Sequence, residues 1–541
     1  MRKLFILLLS SLFVITGYAK EEVTSNNMAS LGDSLSNTFR NPVIYADVPD
    51  VSVIRVGDDY YMISTTMHLM PGAPVMKSKD LVNWEIIGYV FDKLTDNPSY
   101  DLNGGTVYGW GQWASSIRYH DGKFYVFFSP NNKPHEGYIY SAIDPSGEWK
   151  LVSRTPHFHD ASLFFDDDGR VYIFYATGSL TELKSDLSGV KPDGVNMKIF
   201  ERDKTENALL EGSQVIKHNG KYYLLMISWP RNGIRREVCF RADKITGPYE
   251  KKVILEDAFD SYGGVAQGNI VDTSDGRWYG MMFQDRNGVG RVPTLMPCRW
   301  IDGWPILGNE EGRVPLIMEA PIQGHPEIPI VVSDDFSDRK LKLNWQWNHN
   351  PQNDFWSLSE RPGYLRLKTN RIVDNLYAAP NTITQRMEGP ACSGIISVDI
   401  SNMKDGDIAG FSAFNGDSGL LSVIMNGGRK YLTMSTNVVK LDDSDKTILG
   451  VDVVEKERID LLQQHTIFLR IDCDFSEHHD LASFYYSLDN KDWRKIGEDF
   501  KMKFDYTKFF MGTKFAIFNY ATKICGGYVD VDFFSYKKSK L

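Results

Sequence analysis

Cysteine is scarce in this chain. There are five in 541 residues (Cys239, Cys298, Cys392, Cys473 and Cys525), an odd number spread over a long sequence. That excludes the dense disulfide framework of a small secreted scaffold and leaves their pairing open. No Cys/His group stands at zinc-ligand spacing, no glycine-rich phosphate loop follows a strand, and no Gly-x-Ser-x-Gly elbow occurs. Positive charge is in the minority, with 60 Lys and Arg against 70 Asp and Glu, a formal charge of −10. A polyanion such as nucleic acid is therefore not an expected partner. Beyond the N-terminus no apolar run approaches the roughly 18 residues that a spanning helix needs, so no membrane span is expected.

The N-terminus itself reads MRKLFILLLSSLFVITGYA, with Arg2 and Lys3 ahead of an apolar core that ends at Gly17-Tyr18-Ala19. This is the pattern of a secretory signal peptide over residues 1–19. Cleavage after Ala19 removes two positive charges and no acids, taking the charge from −10 to −12. No cysteine follows the apolar core, so a lipid anchor is not expected. The expectation is a soluble secreted protein, with the bacterial periplasm as its compartment and residues 20–39 as an N-terminal segment.

The remaining composition, 42% hydrophobic, 13% aromatic and 24% charged, is that of a folded chain long enough for more than one domain. Five segments repeat one pattern: DVSVIRVGDDYYM from Asp50, WASSIRYHDGKFYV from Trp113, DASLFFDDDGRVYI from Asp160, EGSQVIKHNGKYYL from Glu211 and QGNIVDTSDGRWYG from Gln267. Each reads as a strand, a two-residue turn signal and a second strand, and Asp-Gly and Asn-Gly suit type I′ hairpins. The repeat tyrosines Tyr61, Tyr125, Tyr172, Tyr223 and Tyr279 are 64, 47, 51 and 56 residues apart, leaving room for two outer strands per repeat. The spacing predicts an all-β, five-bladed β-propeller over 40–310, closed with help from the N-terminal strand; a solenoid is the alternative. Pro315, Pro321, Pro326 and Pro329 mark a linker over 311–333. Short alternating runs such as YLRLKT and SFYYSL predict a second all-β domain over 334–541, a sandwich or jelly roll.

The first strand of a propeller blade lies nearest the axis, so equivalent strand starts surround one opening. Counting back twelve residues from the repeat tyrosine reaches Trp113, Asp160, Glu211 and Gln267, and counting back eleven reaches Asp50. Three of the five are carboxylic acids. Crowded acids repel one another and resist desolvation, and this drives their pKa values apart, one protonated and one ionised. Those are the two states that glycoside hydrolysis requires. Trp113 fits either a core position or an aromatic wall for a sugar ring. Arg291, in GVGRVPTLMP, fits a sugar contact or a partner that biases a neighbouring carboxylate, and Gln267 completes the ring as a substrate-binding candidate. His68, in TTMHLMPG, lies on the loop after the first hairpin, where a substrate contact is open to it. The run Asp166-Asp167-Asp168-Gly169 is expected in a hairpin turn facing solvent, because the spacing and terminal Glu of an EF-hand are missing.

These residues resemble glycoside hydrolase family 43. The resemblance is carried by PDVSVIRVGDDYYM, KSKDLVNWEIIG, DASLFFDDDGRVYIFY, EGSQVIKHNGKYYLL and VAQGNIVDTSDGRWYGMMFQD through RVPTLMP. It continues in DDFSDRKLKLNWQWNHNP and ERPGYLRLKT, which are similar to the concanavalin A-like C-terminal domain of β-xylosidase-like members. The resemblance implies an inverting enzyme in which Asp50 is the general base, Glu211 the general acid, Asp160 the acid that tunes and orients the donor, and Arg291 a sugar contact. Inversion implies base and acid carboxyls about 6.5–9.5 Å apart. The base motif reads PDVS where many members have PDPS. Where many members place a calcium-coordinating histidine, this chain has Val265-Ala266-Gln267-Gly268, so neither a metal nor another cofactor is expected. The implied activity is exo-acting removal of α-L-arabinofuranosyl residues from hemicellulose side chains, with β-D-xylosidase as the near alternative and a noncatalytic carbohydrate-binding propeller as the remote one.

Overall fold

Each sequence repeat becomes the inner hairpin of a four-stranded antiparallel sheet, and five such sheets follow one another along the chain. The structure, a computed structural model, describes residues 37–206 and 208–539, so the signal-peptide expectation lies outside the described residues. The inner strands are Ser52–Val56, Ser116–His120, Ser162–Phe165, Leu209–His218 and Ala266–Asp272. Each lies against the next and the fifth returns to the first, which closes a five-bladed propeller and excludes the solenoid.

One position in four of the five inner strands ties consecutive blades together. Ser52 Oγ accepts from the Ile117 amide, Ser116 Oγ from Leu163, and Ser162 Oγ from Val215. Asn269 closes the circle, since its Oδ1 accepts from the Val53 amide at 2.9 Å and its Nδ2 donates to the Val53 carbonyl at 2.7 Å. These amides face the next blade and would otherwise be buried without a partner, at a cost of about 1–3 kcal/mol each. The N-terminal strand Thr38–Arg40 itself pairs with Ile317–Glu319, inside the segment expected to be a linker, while the residues behind it reach the fifth blade: the Asn41 side chain bonds the Leu295 backbone and the Val48 amide donates to the Arg291 carbonyl. The fifth and first blades are joined by Asn269 and by the Arg55–Asp272 ion pair at 2.6 Å.

The turns also differ from expectation. Asp121-Gly122 and Asn219-Gly220 have positive φ at both residues, as type I′ requires. In the third and fifth blades the amides of Asp166 and Thr273 bond to the carbonyls of Arg170 and Arg277, which gives three-residue loops with only Gly169 and Gly276 at positive φ. The acidic run is not wholly solvent-facing either. Asp166 is buried, accepting from Tyr222 Oη at 2.6 Å and pairing with Lys217 at 2.5 Å, while Asp168 is exposed and pairs with Arg170.

The C-terminal domain is a sandwich of two eight-stranded antiparallel sheets. Phe411 and Phe515 of one sheet pack on Phe534 of the other, with centroids 6.2 and 5.7 Å apart. The first sheet takes its edge strand from the propeller: Leu69–Met70 pairs with Gln346–Asn348. That pairing fixes the sandwich against the loops of the first blade. All five cysteines are free, including the cross-strand neighbours Cys392 and Cys473.

Candidate active site

Aligning the five blades on their inter-blade hydrogen bonds splits the sequence register into two tiers. Asp50 and Asp160 each lie two residues before their linking serine, and Gln267 two before Asn269. The equivalents in the second and fourth blades are Ala114 and Gly212. These five line one cavity of about 10 Å³ at the axis, room for about one water molecule. Asp50, Asp160, Gly212 and Gln267 share a positive φ of 53°, 46°, 70° and 64°. Trp113 and Glu211 stand one residue earlier, level with His159. A one-residue offset turns a side chain to the opposite side of a strand. Asp50, Asp160, Gly212 and Gln267 of the lower tier are buried and Ala114 is half-buried, whereas Trp113, His159 and Glu211 are partly exposed at the mouth.

In the lower tier Arg291 Nη1 donates to both oxygens of Asp50, at 3.0 and 3.1 Å. Burial pushes the Asp50 carboxyl above its ordinary value, and the Arg291 charge acts against that rise. Gln267 is held by its backbone: its amide donates to Glu237 Oε2 at 2.8 Å, and burial pushes the Glu237 carboxyl up to about 8. The Asp160 carboxyl is raised by burial, opposed by His159 and reinforced by Glu211 and Asp50.

Sequence reading missed the group that connects the tiers. His159 Nε2 lies 3.1 Å from Glu211 Oε2 and 3.8 Å from Asp160 Oδ2. The imidazole pKa is raised, first by the Asp160 charge and then by its contact with Glu211. A comparison of residues level with Glu211 rather than Asp50 would have found it, since Trp113, His159 and Glu211 share one register. His159, Asp160 and Glu211 bring three potential donor atoms within 4.8 Å of one another. Two of the three, His159 Nε2 and Glu211 Oε2, already lie within hydrogen-bond distance of each other.

The sandwich completes the mouth. Phe510, from the loop before Lys514–Ala521, packs 5.7 Å from Trp113, and the Arg291 guanidinium lies 4.3 Å from its ring centroid. Its carbonyl accepts from Arg291 Nη2 at 3.3 Å. Asp47 ties this loop to the strand that begins at Arg291, accepting from the amides of Arg291 and Gly512 and pairing with buried Lys514 at 3.2 Å. Gly512 permits the approach, because a Cβ there would fall 2.2 Å from the Val289 carbonyl oxygen. Trp113 stands at this mouth with its indole N–H bonded to the Gly109 carbonyl at 3.0 Å. His68 does not reach it. Its ring is fully buried between the domains, 4.8 Å from Tyr108, 5.0 Å from His349 and 5.5 Å from Phe509, and burial lowers its pKa to about 3. Leu69–Met70, the next residues, are the strand that joins the sandwich, and this draws His68 into the seam.

The profile described as "Glycosyl hydrolases family 43" matches residues 39–305, and "Beta xylosidase C-terminal Concanavalin A-like domain" matches 333–537. The non-reducing end α-L-arabinofuranosidase BoGH43B of Bacteroides ovatus is 31% identical over 383 residues, 64% of this chain and 68% of that one. The chain belongs to glycoside hydrolase family 43. A protein named β-xylosidase, from Formosa agariphila, is 29% identical over 95% of this chain and 93% of its own length. Among solved structures, a bifunctional GH43-CE protein of Bacteroides eggerthii superposes with a TM-score of 0.85 at 45% identity, covering 93% of this chain. This chain spans 64% of that longer protein.

Proposed function

We propose that this family 43 hydrolase is an exo-acting, inverting glycosidase that removes one terminal pentosyl residue from a hemicellulose side chain. The observation that carries the reading is the presence of two differently partnered carboxyl groups in one pocket: Asp50 held by Arg291, and Glu211 Oε2 3.1 Å from His159 Nε2 beside Asp160. Asp50, ionised, takes a proton from a water whose oxygen attacks the anomeric carbon. The glycosidic C–O bond breaks, and the departing oxygen takes the proton of Glu211. Moving the shared proton from Nε2 to Oε2 gives neutral imidazole and a carboxylic acid, the form that can donate. Asp160 keeps His159 charged and so keeps the proton available. Phe510 narrows the mouth, which favours a chain end over a chain interior.

Arabinofuranosyl is the sugar to which the sequence reading leans, and the name of the Formosa relative gives equal reason to test β-D-xylosyl. Parallel assays on 4-nitrophenyl α-L-arabinofuranoside and β-D-xyloside, with the anomeric configuration of the product followed by NMR, test the reading. Release of one sugar with inversion is expected. Retention would remove Asp50 from its role as base, and inactivity on both substrates would favour a binding propeller. Export through the N-terminal signal is part of the same proposal, because polymeric substrates lie outside the cell.

His159 gives a separate expectation. The active pair must carry its proton, so activity is lost as pH rises through the pair's pKa, which the Asp160 charge holds high. His159→Gln removes the proton store, and the basic limb of the kcat/KM profile should move to lower pH by roughly one unit or more. An unmoved limb would show that His159 only fills space.

A further inference from the structure

The second strand of the fourth blade, Lys221–Trp229, ends at the mouth in an exposed tryptophan. Its register is Leu209↔Trp229, Leu210↔Ser228 and Glu211↔Ile227, with no irregularity among these pairs. Because side chains alternate, Trp229 lies on the same sheet face as Glu211, two residues or about 7 Å further out. It is 44% exposed. Single exposed apolar side chains need no explanation in themselves. This one is immobilised. Its indole N–H donates to the Gly233 carbonyl at 3.1 Å, and the Arg235 guanidinium lies 4.8 Å from its ring centroid. Arg235 is in turn fixed by an ion pair with Asp285 at 2.5 Å, and Asp285 is the cross-strand partner of Arg291, which holds Asp50. Ordering a tryptophan and an arginine costs side-chain entropy, and at a rim position no core packing offsets it. One ring face is backed by a cation, the polar edge is satisfied by its own loop, and the apolar surface that remains faces solvent on the side of the proton donor.

We propose that Trp229, backed by Arg235, is the leaving-group subsite: a stacking platform for the sugar ring whose oxygen receives the proton of Glu211. This rests on the reading of Glu211 as that donor. The ligand class is a pyranose unit of the polysaccharide, bound through the C–H face of its ring. The platform contributes only when the leaving group is a sugar.

The test compares an oligosaccharide with the glycosyl fluoride of the same terminal sugar, since fluoride departs without occupying the platform. For Trp229→Ala, kcat/KM on the oligosaccharide should fall about tenfold or more, mainly through KM, as expected for losing one stacked ring. The fluoride should be hydrolysed within about twofold of the wild-type rate, with the melting temperature unchanged, and Trp229→Phe should recover most of the loss. An equal fall on both substrates, or no fall on the oligosaccharide, overturns the subsite and leaves the glycosidase reading intact. A wild-type enzyme that releases sugar from neither substrate overturns the glycosidase reading and the subsite with it.

Discussion

Asp50→Asn should lower kcat on natural and aryl substrates by about 10²- to 10⁴-fold, the range that a lost general base removes. Asparagine keeps the shape of aspartate and tolerates the positive φ of 53° at this position, so the strand start should keep its backbone. It cannot accept the proton of the attacking water. It also leaves the Arg291 guanidinium, almost fully buried, without its anion. Breaking a buried pair by removing one partner typically costs about 3–5 kcal/mol, so part of the change should appear as lower thermal stability. Azide separates the two effects, because it attacks without losing a proton. A folded Asp50→Asn enzyme should regain turnover with azide and yield the glycosyl azide of inverted configuration. Absence of rescue in a variant that melts cooperatively near the wild-type temperature would remove Asp50 from the role of base.

Glu211→Gln should behave differently. Glutamine still fits beside His159 but has no acidic proton, so the loss should follow the leaving group. On an oligosaccharide, whose departing alkoxide is strongly basic, kcat/KM should fall about 10²- to 10⁴-fold; on a 2,4-dinitrophenyl glycoside, whose leaving group needs no proton, it should fall far less. The basic limb of the pH profile should flatten on the activated substrate. A uniform loss on both would mean that Glu211 positions substrate without donating a proton. Stability also separates this variant from Asp50→Asn, because Glu211→Gln leaves the Asp50–Arg291 pair intact and the melting temperature should change little.

Part of this site was legible in the sequence because the repeat is. Tyr61 to Tyr279 recur at blade spacing, and the acids stand at blade starts where a chain that needed only to fold would not place them. The count from tyrosine merged two tiers, however, because insertions differ between blades. The third and fifth blades add a residue in the turn, whereas the second and fourth turn on Asp121-Gly122 and Asn219-Gly220. A count of twelve therefore reaches the lower tier at Asp160 and Gln267 but overshoots by one residue to Trp113 and Glu211, so Glu211 lies one level away from Asp50. His159 was overlooked for the same reason. It stands immediately before Asp160, and only the two-tier register aligns it with Glu211.

Other contacts carried no signal along the chain. Phe510 and Lys514 lie more than 200 residues from Arg291 and more than 450 from Asp47, in a domain whose own pattern shows only alternating strands. Their approach depends on the Leu69–Met70 edge strand, on Gly512 and on a buried ion pair, none of which has a periodic signature. His68 shows the converse, since its loop position looked open until the sandwich sheet extended onto the next two residues.

By itself the sequence determined the blade count, the all-β second domain, the family resemblance and the three acids, because local periodicity and turn chemistry repeat often enough to be read. The tertiary structure decided which acid lies beside His159, where the sandwich meets the mouth and which sheet face carries Trp229. Those outcomes depend on one-residue offsets and on contacts between distant segments, and a linear pattern does not record either.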